Sequence, residues 1–167
     1  MCIRDSITMG IEVDRNKIIF KRNFNASPED IFKAYTNKDL FEQWFHPENG
    51  TTKVYRFEVQ EGGEGFFSIE TPQGKSYTVT KYQEFDQPTY IAYEDYFADE
   101  NGNINKEVPG MYNTVQLNDI GQGVTELVAT SELPNAEMVQ QMIDMDLEAG
   151  MNSTFDNLET LLRNLSS

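Results

Sequence analysis

Apolar positions along the chain change period three times, and each change marks a different kind of element. Residues 16–24, "NKIIFKRNF", are β-branched and aromatic over a short run, which predicts a first strand. The spacing then turns helical in "SPEDIFKAYT". Ser27 stands as N-cap, Pro28 at the first helical position and Asp30 three residues after the cap, ahead of the apolar set Ile31, Phe32, Ala34 and Tyr35. A second short helix, "KDLFEQWF", has Asn37 or Asp39 as cap and presents Leu40, Phe41, Trp44 and Phe45 on one face. His46-Pro47 ends it, because proline disfavours helical geometry in the residue before it.

Residues 52–133 read as strands and turns. The runs "TKVYRFEVQ", "GFFSIET", "SYTVTKYQEF", "TYIAYEDYF", "MYNTVQLND" and "VTELVATSEL" are separated by "EGGE", "TPQG", "DQP", "DENGN" and "IGQG". These separators are rich in Gly, Pro, Asn and Asp, as hairpin loops require. Consecutive strands with such short connections predict an antiparallel meander. Helical spacing returns over 135–165, where Met138, Met142, Met145, Met151, Phe155, Leu158, Leu162 and Leu165 form one stripe. Gly150 interrupts it at a cost of up to ~1 kcal/mol relative to alanine, which marks either a close approach to the sheet or a bend. The class is α+β, with the C-terminal stripe as the cover for the sheet's apolar face.

Composition narrows the compartment and the chemistry. A chain of 167 residues is one domain's worth and buries a core without metals or disulfides. Eleven Phe and eight Tyr suit a fold with much strand. Cys2 is the sole cysteine, which excludes an intramolecular disulfide and a cysteine-based zinc site. Residues 1–10 read as a disordered or non-native lead, Met9 making a more natural start than "MCIRDSIT", and 11–167 as a single domain. No stretch has the apolar length of a signal peptide core or a membrane span, so the expectation is a cytoplasmic protein without membrane insertion. Residues 1–82 carry 11 Lys and Arg against 12 Asp and Glu, whereas residues 83–167 carry 2 against 16, for a total of -15. That field repels phosphate backbones, and nucleic acid is not an expected partner.

Few motifs suggest catalysis. His46 has the right intrinsic chemistry for a general base, yet no G-x-S-x-G elbow or usable nucleophile accompanies it. With one histidine, a metal site would need several carboxylates; "DENGNINKE" lacks the glycine and glutamate that a calcium loop needs at its sixth and twelfth positions. Gly62-Gly63 leads into a strand rather than a helix, so it reads as a hairpin turn and not a phosphate cradle. No cofactor and no metal are expected.

Four segments in order carry a resemblance. "FNASPEDIFKAYTNKDLFEQWF", "FEVQEGGEGFFSIETPQGKSY", "YQEFDQPTYIAYEDYFADENGN" and "GQGVTELVATSEL" resemble, over about residues 17–164, the START-like or SRPBCC superfamily. Within it the chain is similar to bacterial proteins related to the C-terminal domain of the activator of Hsp90 ATPase. The resemblance implies a helix-grip fold, with a seven-stranded antiparallel sheet wrapped around residues 135–165 and two short helices between the first two strands. It departs from the family's usual pattern at Gly150-Met151, where Gly-Trp is common, at Gly65, where an aromatic is common, and near Thr80, where a glycine is common. Those changes alter the shape of the interior, so a ligand class does not carry over.

The resemblance implies a cavity between sheet and C-terminal helix. The residues expected to bind a ligand there are Trp44, Phe57, Phe67, Tyr82, Tyr93, Met138 and Met142; Tyr55, Tyr112 and Met145 belong to the same aromatic and methionine set. The alternative is that this set fills a core, and Trp44 either lines the cavity or closes it. Arg56, Glu94 and Asp95 are the polar candidates, and strand alternation puts Glu94 and Asp95 on opposite faces. The expected function is non-catalytic binding of a small hydrophobic or amphipathic ligand, exchanged past "DENGN" and segment 46–51, in a monomer or homodimer. An interaction module with a chaperone as partner and a cyclase-like enzyme are the alternatives.

Overall fold

Among the described residues, eight strands form one antiparallel sheet, and four helices cover its concave face. The computed structural model describes residues 9–46, 49–145 and 147–166. The strands are β1 (Met9–Asp14), β2 (Lys17–Phe24), β3 (Thr51–Phe57), β4 (Glu64–Thr71), β5 (Gly74–Asp86), β6 (Tyr90–Ala98), β7 (Met111–Gly121) and β8 (Val124–Glu132). They are ordered β1-β2-β8-β7-β6-β5-β4-β3, so β3 to β8 are the expected meander and β2 closes back onto β8. The helices are α1 (Pro28–Thr36), α2 (Lys38–Trp44), α3 (Ala136–Asp144) and α4 (Leu147–Ser166). Since β2 and β3 lie far apart in the sheet, α1 and α2 carry the chain across its concave side.

The helix starts follow the sequence closely. The Ser27 hydroxyl accepts from the Asp30 amide and the Asn37 side chain accepts from the Leu40 amide, which fixes both caps. Alternation along the strands then fills the interior. Ile18, Phe20, Arg22 and Phe24 of β2 are buried, with Lys17 exposed and Ile19, Lys21 and Asn23 half-buried between them. Phe20 stacks on Phe155 of α4 with centroids 5.0 Å apart, and Leu158, Leu161 and Leu162 complete the stripe against the sheet.

Three expectations are corrected. The sheet has eight strands rather than seven, because β1 pairs with β2 from Met9↔Arg22 to Asp14↔Lys17. Met9 and Gly10, placed in the lead, therefore belong to the sheet, and residues 1–8 lie outside the described residues. The C-terminal segment is two helices, and α3 ends at Met145, whose amide is shared between the Gln141 and Met142 carbonyls. Gly150 marks neither a close approach nor the break, since a Cβ there would meet nothing within 4 Å. At the Gly62-Gly63 turn, Gly62 takes φ +82°, while a Cβ on Gly63 would run into the Glu58 carbonyl oxygen.

Candidate ligand-binding site

A cavity of about 510 Å³ opens between the concave face of β6, β7 and β8 and the junction of α3 and α4. Tyr35 of α1 and Phe45 and His46 at the end of α2 form one wall. Met142, Met145, Gly150 and Met151 form the opposite rim, and Phe155 reaches inward beside them. The volume falls in the range of small-molecule sites, and most of the lining is apolar. Methionines at the rim suit a site that adapts to its occupant, since the side chain is unbranched and polarizable. Met145 is 81% exposed and stands at the mouth.

The floor carries a polar strip across four strands. Thr80 of β5 donates its hydroxyl to Asp95 Oδ1 at 2.6 Å, and the two residues are register partners. The Asn113 amide donates to Asp95 Oδ2 at 3.4 Å and to the Met111 carbonyl at 3.1 Å. Its Oδ1 accepts from the Ser131 hydroxyl at 2.7 Å, again between register partners. Burial pushes the Asp95 carboxyl up to about 6, with the Thr80 hydrogen bond pulling the other way. The Tyr93 phenol beside it is raised well above its ordinary value by burial and then by the Asp95 charge, so it stays protonated.

Among the seven residues expected to bind a ligand, Tyr93 and Met142 line this cavity. Phe67 and Tyr82 line a much smaller hollow of about 20 Å³ that shares Tyr35, Phe45, Tyr93 and Asp95 with it. The other three do not line it. Trp44 is fully buried, donates its indole N–H to the Ala34 carbonyl at 2.9 Å and packs edge-on to Tyr35, so it closes the core under the cavity wall. Phe57 packs on Phe41 in a satellite cluster, and Met138 packs over Ile18, Leu133 and Val139. Tyr55 and Tyr112 are 41% and 38% exposed. Arg56 pairs with Glu64 at 3.7 Å, and Glu94 accepts from Gln83 at 3.0 Å.

Asp95, not Glu94, is the inward member of its pair. It shares its phase with Ile91 and Tyr93, both packed in the main core. Asn113 and Ser131 were missed, although each sits in phase with apolar neighbours, Asn113 with Val115 and Leu117, Ser131 with Leu127 and Ala129. His46 lines the cavity and is held at the helix end, where the Asn157 side-chain amide donates to its carbonyl at 2.8 Å. The "DENGN" loop is not at the mouth: Gly102 lies over the Phe66 ring on the convex face, and the Asp99 carboxylate accepts from the amides of Asn101 and Asn103.

With this geometry in view, the similarities to known proteins fall into place. The model for activator of Hsp90 ATPase homolog 1-like proteins matches residues 25–163. The chain belongs to that family. A solution structure of a protein from Staphylococcus epidermidis is 44% identical over 93% of this chain and 94% of its own, with a TM-score of 0.86. The Ms6760 protein from Mycobacterium smegmatis shares the fold at 23% identity, covering 92% of this chain and 95% of that one, with a TM-score of 0.83. The AHSA1 protein from Silicibacter pomeroyi does so at 16% identity, over 88% and 97% of the two chains, with a TM-score of 0.69. No curated protein matches the chain. Membership in the activator-like family fixes the helix-grip fold and supports a ligand-binding or activator-like domain. No helix among the described residues is long and apolar enough to cross a membrane.

Two departures from the pattern that the resemblance implies fall in the interior. Met151 stands where a tryptophan is common, and it lines the rim with Gly150. At Gly65, where an aromatic is common, a Cβ would come within 3.3 Å of the Tyr82 hydroxyl, so the Tyr82 side chain occupies the space.

Proposed function

We propose that the protein binds a small amphipathic molecule, non-covalently and without turnover, in the cavity between β6–β8 and the α3–α4 junction. The observation that carries this reading is the cavity itself, about 510 Å³ with apolar walls and a polar strip on one side. An apolar cleft of that size with a few convergent polar groups has the usual form of a small-molecule site. Entry runs past the methionine rim, where α3 ends and α4 begins.

The experiment combines native mass spectrometry of the purified protein with Nile red titration, on wild type and on Gly150→Phe. Gly150 lines the cavity and a Cβ there meets nothing within 4 Å, so a phenyl ring has room at the rim without displacing backbone. Wild type should carry a small molecule or bind the dye, and the variant should lose that binding with a melting midpoint no lower than that of wild type. Absence of both bound molecule and dye binding in wild type would overturn the proposal. An activator-like role would use the convex surface, which Gly150→Phe leaves unaltered; a chaperone interaction that survives this variant separates the two roles.

A further inference from the structure

The geometry points to a protonated amine as the headgroup of the cavity's ligand, with Asp95 as its counter-ion. This rests on reading the cavity as a ligand site and adds the chemical class of what enters it.

Among the described residues, Asp95 is the one Asp or Glu that lines the cavity, and neither Lys nor Arg lines it. An ionised carboxylate offers about four acceptor sites. Thr80 uses one at 2.6 Å, and Asn113 uses a second at a long 3.4 Å. The Asn113 amide is committed, its two hydrogens to Asp95 and Met111 and its oxygen to Ser131. The strip therefore holds Asp95 in place without neutralising it. No ion pair to Asp95 forms among the described residues.

The contrast with Arg22 is instructive. That guanidinium, also on the inner face, pairs with Asp156 at 2.7 Å and Glu159 at 2.9 Å, both supplied by α4. A buried charge in this molecule is thus normally met by its opposite, and Asp95 is left for something that comes from outside.

Charge elsewhere favours the same class. Residues 83–167, which build β6 to β8 and both C-terminal helices, carry 2 basic against 16 acidic side chains, a field that draws cations in and turns carboxylates away. An alcohol would satisfy the hydrogen bond but not the charge. An ammonium group supplies up to three donors and the missing positive charge together. The remaining ionisable groups on the lining are the Tyr35 and Tyr93 phenols, which burial keeps protonated, and His46 at the α2 end.

The test is a headgroup series with one tail: n-octylamine, n-octanol and octanoate, titrated calorimetrically into wild type and Asp95→Asn near neutral pH. Octylamine should bind wild type about 10 to 100 times more tightly than octanol, as expected for a charge-assisted hydrogen bond, with octanoate weakest. Asp95→Asn should abolish the amine's advantage over octanol. The wild-type preference should also persist at about 0.5 M salt, where the field of surface charges is screened within a few ångströms.

Equal affinity of wild type for amine and alcohol overturns the inference and leaves the cavity reading intact. So does an amine preference that Asp95→Asn retains or that salt removes, because the cause would then be the surface field. Failure of all three compounds to bind overturns both. The salt series needs only wild type, so the inference stays falsifiable even if the variant does not fold.

Discussion

Replacing Asp95 by asparagine should stabilise the ligand-free protein in alkali and give it nothing in acid. Burial raises the carboxyl from its ordinary 3.8 to about 6 in the folded state. At roughly 1.4 kcal/mol for each pH unit, the charged form is then about 3 kcal/mol less favourable in the fold than in the unfolded chain. The folded pKa lies above the unfolded one, so the native state holds an extra proton between the two values. Stability from this group is therefore greatest below about pH 4, falls through the interval, and reaches its full deficit above about pH 6. Asparagine removes the deficit and keeps an oxygen for the Thr80 hydroxyl. It loses the Asn113 hydrogen bond, already long at 3.4 Å, at a cost of about 1 kcal/mol. A net gain of about 1–2 kcal/mol remains, worth about 3–6 °C for a chain of this length. Differential scanning calorimetry of both proteins between about pH 4 and pH 8 reads the effect, and His46 is common to both, so the difference isolates Asp95. A gain that is equal at the two ends of the range, or a loss at pH 8, would refute the reasoning.

Other perturbations test the frame around the site. Gly150→Ala should raise stability by up to ~1 kcal/mol in urea unfolding, because the position is helical and a Cβ meets nothing there. Trp44→Phe should cost about 2–4 kcal/mol, from the smaller ring and from an Ala34 carbonyl left without its indole donor, and the tryptophan-free variant is followed by circular dichroism. Arg22→Ala should cost about 2 kcal/mol rather than the larger penalty of stranding a buried charge, since the Asp156 and Glu159 side chains are 69% and 36% exposed and regain water. Hydrogen exchange should then show faster opening of α4 than of β6 and β7.

The meander was legible because every hairpin has its own turn chemistry and every strand its own apolar run. The caps were equally plain: Ser27 and Asn37 bond the amides that their positions predict. β1 was not, because it turns into β2 through Arg15 at φ 58° where glycine would have announced the bend. The break between α3 and α4 has no glycine or proline at Met145, whereas Gly150, which looks like a break, continues the helix. At the site, the strands of the cavity wall carry apolar and polar residues in both phases. "YIAYEDYFA" gives Tyr, Ala, Glu, Tyr and Ala in one register and Ile, Tyr, Asp and Phe in the other, so only the packing of Ile91 and Tyr93 against the core decides that Asp95 points in. Side-chain type alone did not separate lining from core: Tyr93 and Met142 line the cavity, while Trp44, Phe57 and Met138 each pack in a different cluster.

A better guide was available in the same letters. Arg22, Asp95, Asn113 and Ser131 are polar residues standing in the apolar phase of their strands, and each costs burial that something must offset. What offsets it separates structure from function. Arg22 is answered from within by two carboxylates of α4, so its place is explained by the fold alone. Asn113 and Ser131 are answered by each other and by the backbone, and their role is to fix Asp95. Asp95 accepts from both of its neighbours in the strip and still has charge to spare, facing a mostly apolar cavity that no Lys or Arg among the described residues lines. A fold that needed only stability would have had an apolar residue or an asparagine there, which is why the stability of Asp95→Asn and its choice between amine and alcohol are two readings of one cause.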